Sequence, residues 1–501
     1  MKTPKQFKRY IPVLIKSELD KLDYHRKDDL YVILDLIYRK ETRFKADYQN
    51  TYGFTEIAKA QLQELLPSND GFQEAMQFLL DNQLVIRNDF YVMKEGKSKS
   101  YKLPNELLSK TIPVTIQDKN INKRIDKQLK SYRKVKEKSL EFAQSKYFKT
   151  FRIDVAEAQK AILNKTLSEI KRLCFNLGLS YSETDILDII ECRNDHKLKR
   201  FRIMMCPDGK ELYNIMHRYM VHTMRLDAIN DGFLFFKRND TNGRLDSNLT
   251  SLPSYLRPYI ISDEKLVSLD VKNSQPFFLY ALIKDNPAIN PEELKLYGKL
   301  VISGLYEEMA NKYLELYGYV RTRTQMKSLI YRIFFSKVKS FPKQKAFFAS
   351  MFPSIMAYIN QTNAVDNSAL AIKLQKMESN AVLDIVMPLL QEKGIIPFTI
   401  HDSFICVESE AERIRQVFVT KLTEMFGVAP TLHMDYVVPE IEEEEIDKPA
   451  VWDDEFLREL NGQEEMDETD TVQEVVILQR SDENVKELLY ELLKTSKTIN
   501  L

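Results

Sequence analysis

Two short stretches carry carboxylates where strands should end, and their pairing is the first chemistry to explain. Ile395 to Glu408, IIPFTIHDSFICVE, reads as a buried strand: Phe398, Ile400, Phe404, Ile405 and Val407 are β-formers and Pro397 sits near its start. In its middle stand His401 and Asp402. A carboxylate in so apolar a stretch is costly unless a cation meets it, and a hard divalent metal meets that need. The second stretch, Lys265 to Val271 (KLVSLDV), is another β-type run, with Asp270 near its end. An apolar helical segment, Phe277 to Ile283, follows, with Pro276 in its first turn and Ser274 as its cap. Two carboxylates at the ends of neighbouring strands can hold two Mg2+ ions about 3.5–4 Å apart, which activates a hydroxyl and stabilises a leaving phosphate. Either aspartate alone is ordinary, and a His-Asp turn at an exposed strand end would account for 401–402 taken alone.

A third stretch, Arg321 to Lys337 (RTRTQMKSLIYRIFFSK), supplies the opposite charge. Arg323, Lys327, Tyr331 and Phe335 recur every four residues, a stripe that drifts by about 40° per step and spans roughly 18 Å of a helix. Two cations followed by two rings suit a nucleotide, with charge for the triphosphate and rings for the sugar and base. An amphipathic helix with snorkelling cations gives the same stripe. Gln375 and Glu378 share one turn of a helical segment, Lys373 to Ile385, ahead of the His401 stretch. Gly243 permits a turn in TNGRLDSNLTSLP at 241–253, and Arg244 follows it. Asn290 caps a helix opened by Pro291, Ser409 to Glu412 reads as a capping box for a helix ending near Gly427, and Thr431 to Val438 is a last strand.

The elements that must hold these residues belong to a helix-rich, multi-domain chain. Its 501 residues are 44% hydrophobic and 29% charged, with only 13 glycines. No apolar run approaches the 18 residues of a membrane span and the N-terminus lacks a signal-like core, so a soluble, cytoplasmic protein is expected. Cys174, Cys192, Cys206 and Cys406 show no CxxC spacing and the six histidines no HxxxH or HExxH pair, which argues against structural zinc and a disulfide framework. The formal charge of zero hides an asymmetry: residues 440–501 hold 20 acidic and 6 basic side chains, leaving +14 on the remainder. A polyanion suits the body, while the tail would repel it, compete for its groove or bind a basic protein.

Residues 1–27 read as a basic, loosely held arm. Leu30, Ile33, Leu34 and Ile37 then repeat at helical spacing, a second helix starts near Thr55, a third covers 69–82, and Leu84–Ile86, Phe90–Met93 and Ser100–Leu103 read as strands. Three helices and a hairpin suggest a winged-helix-like domain over 1–105, with Lys94, Lys97 and Lys99 meeting duplex DNA phosphates. A small packing domain with a solvated hairpin fits the same pattern. Residues 106–235 are basic and helical. Between Lys119 and Arg152 about a dozen cations face three acids, interleaved with Tyr132, Phe142, Tyr147, Phe148 and Phe151. That pattern suits a helix along a nucleic-acid backbone, or merely a solvated helix face. Residues 441–471 read as an acidic disordered linker and 472–501 as a small helical appendix.

Together the stretches resemble the family A polymerases, the group of DNA polymerase I and the phage-type single-subunit RNA polymerases, over residues 236–440. GRLDSNLTSLP at 243–253 resembles the segment that grips the primer–template. Asp270 with Ser274 and Gln275 resembles the first catalytic motif, with two extra residues between Asp and Ser-Gln. Arg323, Lys327, Tyr331 and Phe335 fall on the fingers-helix pattern, where Phe335-Ser336 replaces Tyr-Gly, and His401-Asp402-Ser403 matches the last motif. The resemblance implies an α+β right hand, with palm and fingers over 236–440 and a thumb-like region before them. It implies a template-dependent nucleotidyltransferase, a DNA polymerase acting on primer–template and dNTPs. Asp270, Asp402 and the Val271 carbonyl would bind two Mg2+ ions, Mn2+ being a substitute. Lys327 and Arg323 would hold the triphosphate, and Arg244, Gln375, Glu378 and His401 the primer–template. Gln275 would line the nucleotide site, and Phe277 with Tyr331 would exclude a 2′-hydroxyl. An RNA polymerase or primase of the same superfamily is one alternative, and a DNA-binding replication initiator with a degenerate polymerase body is another.

Overall fold

The computed structural model describes residues 6–43, 54–57, 59–66, 69–88, 99–104, 107, 109–133, 137–191, 210–364 and 366–439. Helices dominate, joined to small antiparallel sheets, and no helix among the described residues is long and apolar enough to cross a membrane. Lys94, Lys97, the turn between them, the acidic linker and the C-terminal appendix lie outside the described residues.

The N-terminal stretch is not a loose arm. β1 (Lys8–Pro12) leads into the Val13–Asp20 helix, and Tyr10, Ile11, Ile15 and Leu19 are buried, because the basic residues there alternate with apolar ones that have a core to enter. The Lys27–Arg43 helix buries Leu30, Ile33, Leu34 and Ile37, as its spacing predicts. β2 (Thr55–Glu56), the helices Lys59–Leu65 and Asn69–Asp81, β3 (Ile86–Arg87) and β4 (Ser100–Lys102) follow, and the three strands form one sheet in the order β2-β4-β3. β5 (Thr111–Thr115) returns to pair antiparallel with β1, Lys8 opposite Thr115 and Pro12 opposite Thr111. The apolar cluster of this region also takes in Met220 and Met224 from the Lys210–Asn230 helix.

Helices Lys119–Tyr132, Glu141–Thr150, Val155–Asn176 and Glu183–Ile190 precede that long helix. Of the interleaved aromatics, Tyr147 and Phe151 are core residues: they stack at 4.7 Å and meet Phe398 edge-on, so they are not open to a nucleic acid. Phe142 is exposed, and Phe148 lies under the Arg133 guanidinium.

The hairpin β6 (Phe236–Arg238) and β7 (Leu245–Ser247) opens the C-terminal half. β8 (Leu266–Val271), β9 (Phe398–Ile400), β10 (Ser403–Val407) and β11 (Leu432–Tyr436) form an antiparallel sheet in the order β11-β8-β10-β9. The expected single strand over 395–408 is therefore a hairpin, with His401 and Asp402 as its two-residue turn and Ile400 opposite Ser403. A polar pair amid β-formers marks an apex here, and His401 adopts φ +56°, the left-handed conformation such a turn uses. The Glu408–Phe426 helix packs on the sheet, Phe418 edge-on to Phe404, and ends at Gly427 in the left-handed conformation. Its expected capping box is absent; the Ser409 hydroxyl hydrogen-bonds Glu264 instead, at 3.1 Å. Asn290 and Pro291 open their helix as expected, the Asn290 side chain accepting from the Glu292 and Glu293 amides.

Candidate active site

The strand register fixes where the carboxylates stand. Asp270 lies opposite Ser403 in β10 and so beside Asp402 at the hairpin apex, while His433 of β11 flanks it on the other side. Asp270 is accessible yet recessed in protein, and this surrounding, with the Asp402 charge, pushes its carboxyl up to about 7. Lys327 and Arg257 pull in the opposite direction. Two like charges placed together are relieved by a divalent cation, and no third His, Cys, Asp or Glu completes a metal cluster among the described residues. A two-carboxylate donor set fits Mg2+, which keeps waters and takes phosphate oxygens for its remaining positions.

The Arg323–Phe335 helix is held by a capping box at its start: the Thr322 hydroxyl accepts from the Gln325 amide and the Gln325 side chain accepts from the Thr322 amide, at 3.3 and 2.8 Å. It buries Met326, Leu329, Ile330, Ile333 and Phe334, which leaves the predicted stripe on the open side. Arg323 is fixed in place, donating to Glu307 at 3.1 Å and Asn273 at 3.3 Å with its guanidinium 5.2 Å from the Tyr306 ring centre. Lys327 is exposed and makes no ion pair among the described residues; its ammonium sits 5.8 Å from the centre of the Tyr331 ring. Tyr331 and Phe335 are half-buried, with ring centres 5.8 Å apart. Burial, then the charges of Asp402, Asp270 and Glu378, push the Tyr331 phenol up to about 12, so the aromatic step of the stripe shares the field of the carboxylates.

The β6–β7 loop closes one side. Arg244 donates to both oxygens of Glu378, Nε at 2.8 Å and Nη2 at 2.9 Å, and Gln275 Nε2 adds a third hydrogen bond at 2.8 Å. Glu378 is fully buried, and that burial with the Asp402 charge pushes it up to about 7 against the pull of Arg244. Asn242 donates to Gln375 at 3.0 Å, and Arg238 pairs with both oxygens of Asp384 at 2.6 and 2.7 Å. Gln375 and Glu378 lie on the Ala369–Ser379 helix, Asp384 on the π-helical turn Asn380–Val386 that prolongs it, a widening common at functional sites. Gly243 takes φ +73°, and a Cβ there would come within 2.9 Å of the Ser379 hydroxyl, so the loop needs glycine at this point.

Two expectations require correction. Phe277 is 1% exposed, its ring edge-on to Phe278 and to Phe426, so it fills the core beneath the sheet and does not face Tyr331. The apolar run of the Ser274–Ile283 helix drives this: nearly every residue in it is buried, so even a residue at the motif position turns inward. Ser274 is the first helical residue and not the cap, a place taken by Asn273 at φ +56°. Lys99 lies just ahead of β4 in the N-terminal sheet, outside this cleft. The residues that spacing alone does not reveal are Arg257, which acts on Asp270 from the Ser254–Tyr259 turn, and the Arg238–Asp384 pair. Arg257 has no repeat or motif around it that would single it out.

No protein-family model matches the chain, and no curated protein matches it. Among solved structures the chain is similar to the POL domain of Pol1 from M. smegmatis, in complex with DNA primer–template and dNTP. The two share 12% identity, with 63% of this chain and 73% of that one covered and a TM-score of 0.43.

Proposed function

We propose that this chain is a template-dependent nucleotidyltransferase, a DNA polymerase of the family A type that extends a primer with dNTPs. The observation that carries the reading is one cleft of opposed chemistry. Asp270 and Asp402 meet at a strand end, and Lys327, exposed and without an ion-pair partner among the described residues, lies close enough to Asp270 to draw its carboxyl down. Phosphoryl transfer depends mostly on positioning and charge stabilisation, so few side chains suffice.

Asp270 and Asp402, with the Val271 carbonyl, would hold two divalent ions, which when bound activate the primer hydroxyl and stabilise the leaving pyrophosphate. Lys327 neutralises the triphosphate, and Arg323, oriented by Glu307, Asn273 and Tyr306, presents a second cation beside it. Tyr331 and Phe335 offer their rings to the sugar and base. His401, at the hairpin apex, orients the primer end, while Arg244 and Glu378, locked to each other and to Gln275, and Gln375, held by Asn242, form the wall against which the primer lies. Arg257 tempers the charge of Asp270. In this reading palm and fingers span 236–440 in a right hand, the basic helices of 106–235 serve as a thumb, and the winged-helix-like region up to 105 contacts duplex DNA through Lys99 and its neighbours.

A ribonucleotide-using enzyme, an RNA polymerase or primase, is the second reading. Phe277 in the core leaves Tyr331 without the second ring that would exclude a 2′-hydroxyl, and His401-Asp402-Ser403 has the form found in the phage RNA enzymes. The test is extension of a labelled primer by one nucleotide with Mg2+, in parallel with dATP and ATP. Asp270→Ala and Asp402→Ala are expected to lose at least about a thousandfold in rate while binding primer–template as wild type does. Substantial extension by either variant ends the two-carboxylate assignment. Equal use of dATP and ATP, or synthesis without a primer, transfers the chain to the second reading.

A further inference from the structure

A cavity of about 410 Å³ opens where several helices end, and none of the residues placed in the candidate active site lines it. Its floor is apolar: Ile153, Ile229 and Leu234 are buried, and Phe148 stands beside them half-buried. Arg133, just past the Lys119–Tyr132 helix, and Arg152, just past the Glu141–Thr150 helix, bring two guanidiniums to it. Asn230 and Asp231, where the Lys210–Asn230 helix ends, add polar groups. An apolar floor of this size with a few convergent polar groups has the make-up of a small-ligand site.

Both guanidiniums are held in place without being neutralised. Arg133 lies 5.2 Å from the Phe148 ring centre and donates from Nε and Nη2 to the Leu234 and Gly232 carbonyls, at 3.4 and 3.1 Å. Arg152 donates from Nη1 to the Phe151 carbonyl at 2.7 Å. Neither makes an ion pair among the described residues, and Nη1 of Arg133 and both Nε and Nη2 of Arg152 have no hydrogen-bond partner there. The carboxylate on the lining is already matched: Lys8 pairs with Asp231 at 3.2 Å, and the Tyr10 hydroxyl donates to its other oxygen. A guanidinium fixed in orientation with N–H groups unspent is prepared for a phosphate or carboxylate.

We infer that this cavity binds a nucleoside monophosphate, its phosphate on the Arg133 and Arg152 forks and its base on the apolar floor. Two permanent cations match the roughly two negative charges of a phosphate monoester. A bare phosphate would leave the floor to water, whereas a base covers it and also stacks on a guanidinium plane. Asn230 and Asp231 offer partners to the polar edge of the base, since the Asp231 carboxylate keeps lone pairs beyond those that Lys8 and Tyr10 use. The site lies at a junction: Asp231 fastens the N-terminal region, and the Arg152 carbonyl accepts from the Ile261 amide at 3.0 Å, shortly after the turn that carries Arg257. Nothing in this inference rests on the polymerase reading.

The experiment is isothermal titration of GMP into the full chain, with EDTA present so that no divalent ion bridges the nucleotide to Asp270 and Asp402. One GMP per chain is expected. Arg152→Gln, at an exposed position, and Arg133→Gln should each weaken binding at least about tenfold through the loss of a charge-assisted contact. Lys327→Ala, which alters the candidate active site alone, should bind GMP as the wild type does. Should Arg133→Gln melt early, because Arg133 also holds two carbonyls, Arg152→Gln carries the test by itself. Wild-type protein that takes up no GMP at about 1 mM overturns the inference and leaves the active-site reading intact, and so does an Arg152→Gln variant of wild-type affinity. Loss of GMP binding in Lys327→Ala would put the nucleotide in the candidate active site and refute the second pocket. Inorganic phosphate bound as tightly as GMP would refute the place for a base. An Arg152→Gln variant that lowers the salt dependence of primer–template binding, with no GMP bound by the wild type, would make the two arginines backbone contacts and refute the nucleotide assignment.

Discussion

Arg244→Met offers the sharpest test of how the cleft is held together, because its cost should depend on pH. In the wild type the Glu378 carboxyl is 0% exposed and takes hydrogen bonds from Arg244 Nε and Nη2, Gln275 Nε2 and, at 3.4 Å, the Ser274 hydroxyl. Its carboxyl is raised from the ordinary value of 4.5 to about 7. A raised acid opposes folding once ionised: as pH climbs from about 4.5 to about 7 the unfolded chain releases this proton and the folded one keeps it. Stability therefore falls by about 3 kcal/mol over that window. Near pH 5 Glu378 is already protonated in the fold, so removing Arg244 costs only its hydrogen bonds, about 1–2 kcal/mol. At pH 8.5 the wild type holds an ion pair, and the variant must bury a carboxylate without its cation or keep it protonated far above its ordinary range. Breaking a buried pair from one side costs about 3–5 kcal/mol. Urea denaturation followed by circular dichroism at pH 5 and 8.5 measures both penalties, and Glu378→Gln should abolish the difference between them. An Arg244→Met penalty equal at the two pH values would refute the claim that this pair is ionised and buried.

Lys327→Ala should raise the nucleotide KM and lower kcat together, since a cation on the triphosphate acts before and during the reaction; steady-state kinetics with wild-type values would remove the stripe from the site. Phe277→Ala should cost about 3–5 kcal/mol in unfolding measurements, as a core ring would, and leave the ratio of dNTP to rNTP use unchanged; a changed ratio with little loss of stability would restore its expected role. Gly243→Ala should destabilise the β6–β7 loop by about 1–3 kcal/mol, from its φ of +73° and the 2.9 Å approach to the Ser379 hydroxyl, and a neutral outcome in thermal melts would show that the loop can shift.

The residues that meet in the cleft are legible in the sequence because each occupies a place its chemistry makes unusual. Asp270 and Asp402 break apolar β-runs, and the four-residue stripe survives as the open face of a helix whose other face is buried. Sequence periodicity fails where tertiary packing decides. The 395–408 run looks continuous because β9 and β10 are both apolar, and only the strand pairing shows that its polar middle is a turn. Phe277 sits at a motif position, yet an all-round apolar helix has no solvent face to offer it. Tyr147 and Phe151, aromatic amid lysines, look like partners for bases and are core because the helix turns them towards Phe398. Arg257, Asp384 and Tyr306 leave no trace in the spacing, since what matters about each is a partner in another element.

The pairing of β1 with β5 has a mechanical consequence. The chain leaves for the N-terminal sheet and returns from it side by side, Lys8 opposite Thr115, so this region is mounted at one point like a drawn purse. Lys8 and Tyr10 then fasten it a second time, to Asp231 just beyond the long helix, and Met220 and Met224 of that helix are seated in its core. Two fastenings leave little freedom to pivot. The N-terminal region and the long helix are thereby tied as parts of one body, and a load placed on either passes to the other through these contacts.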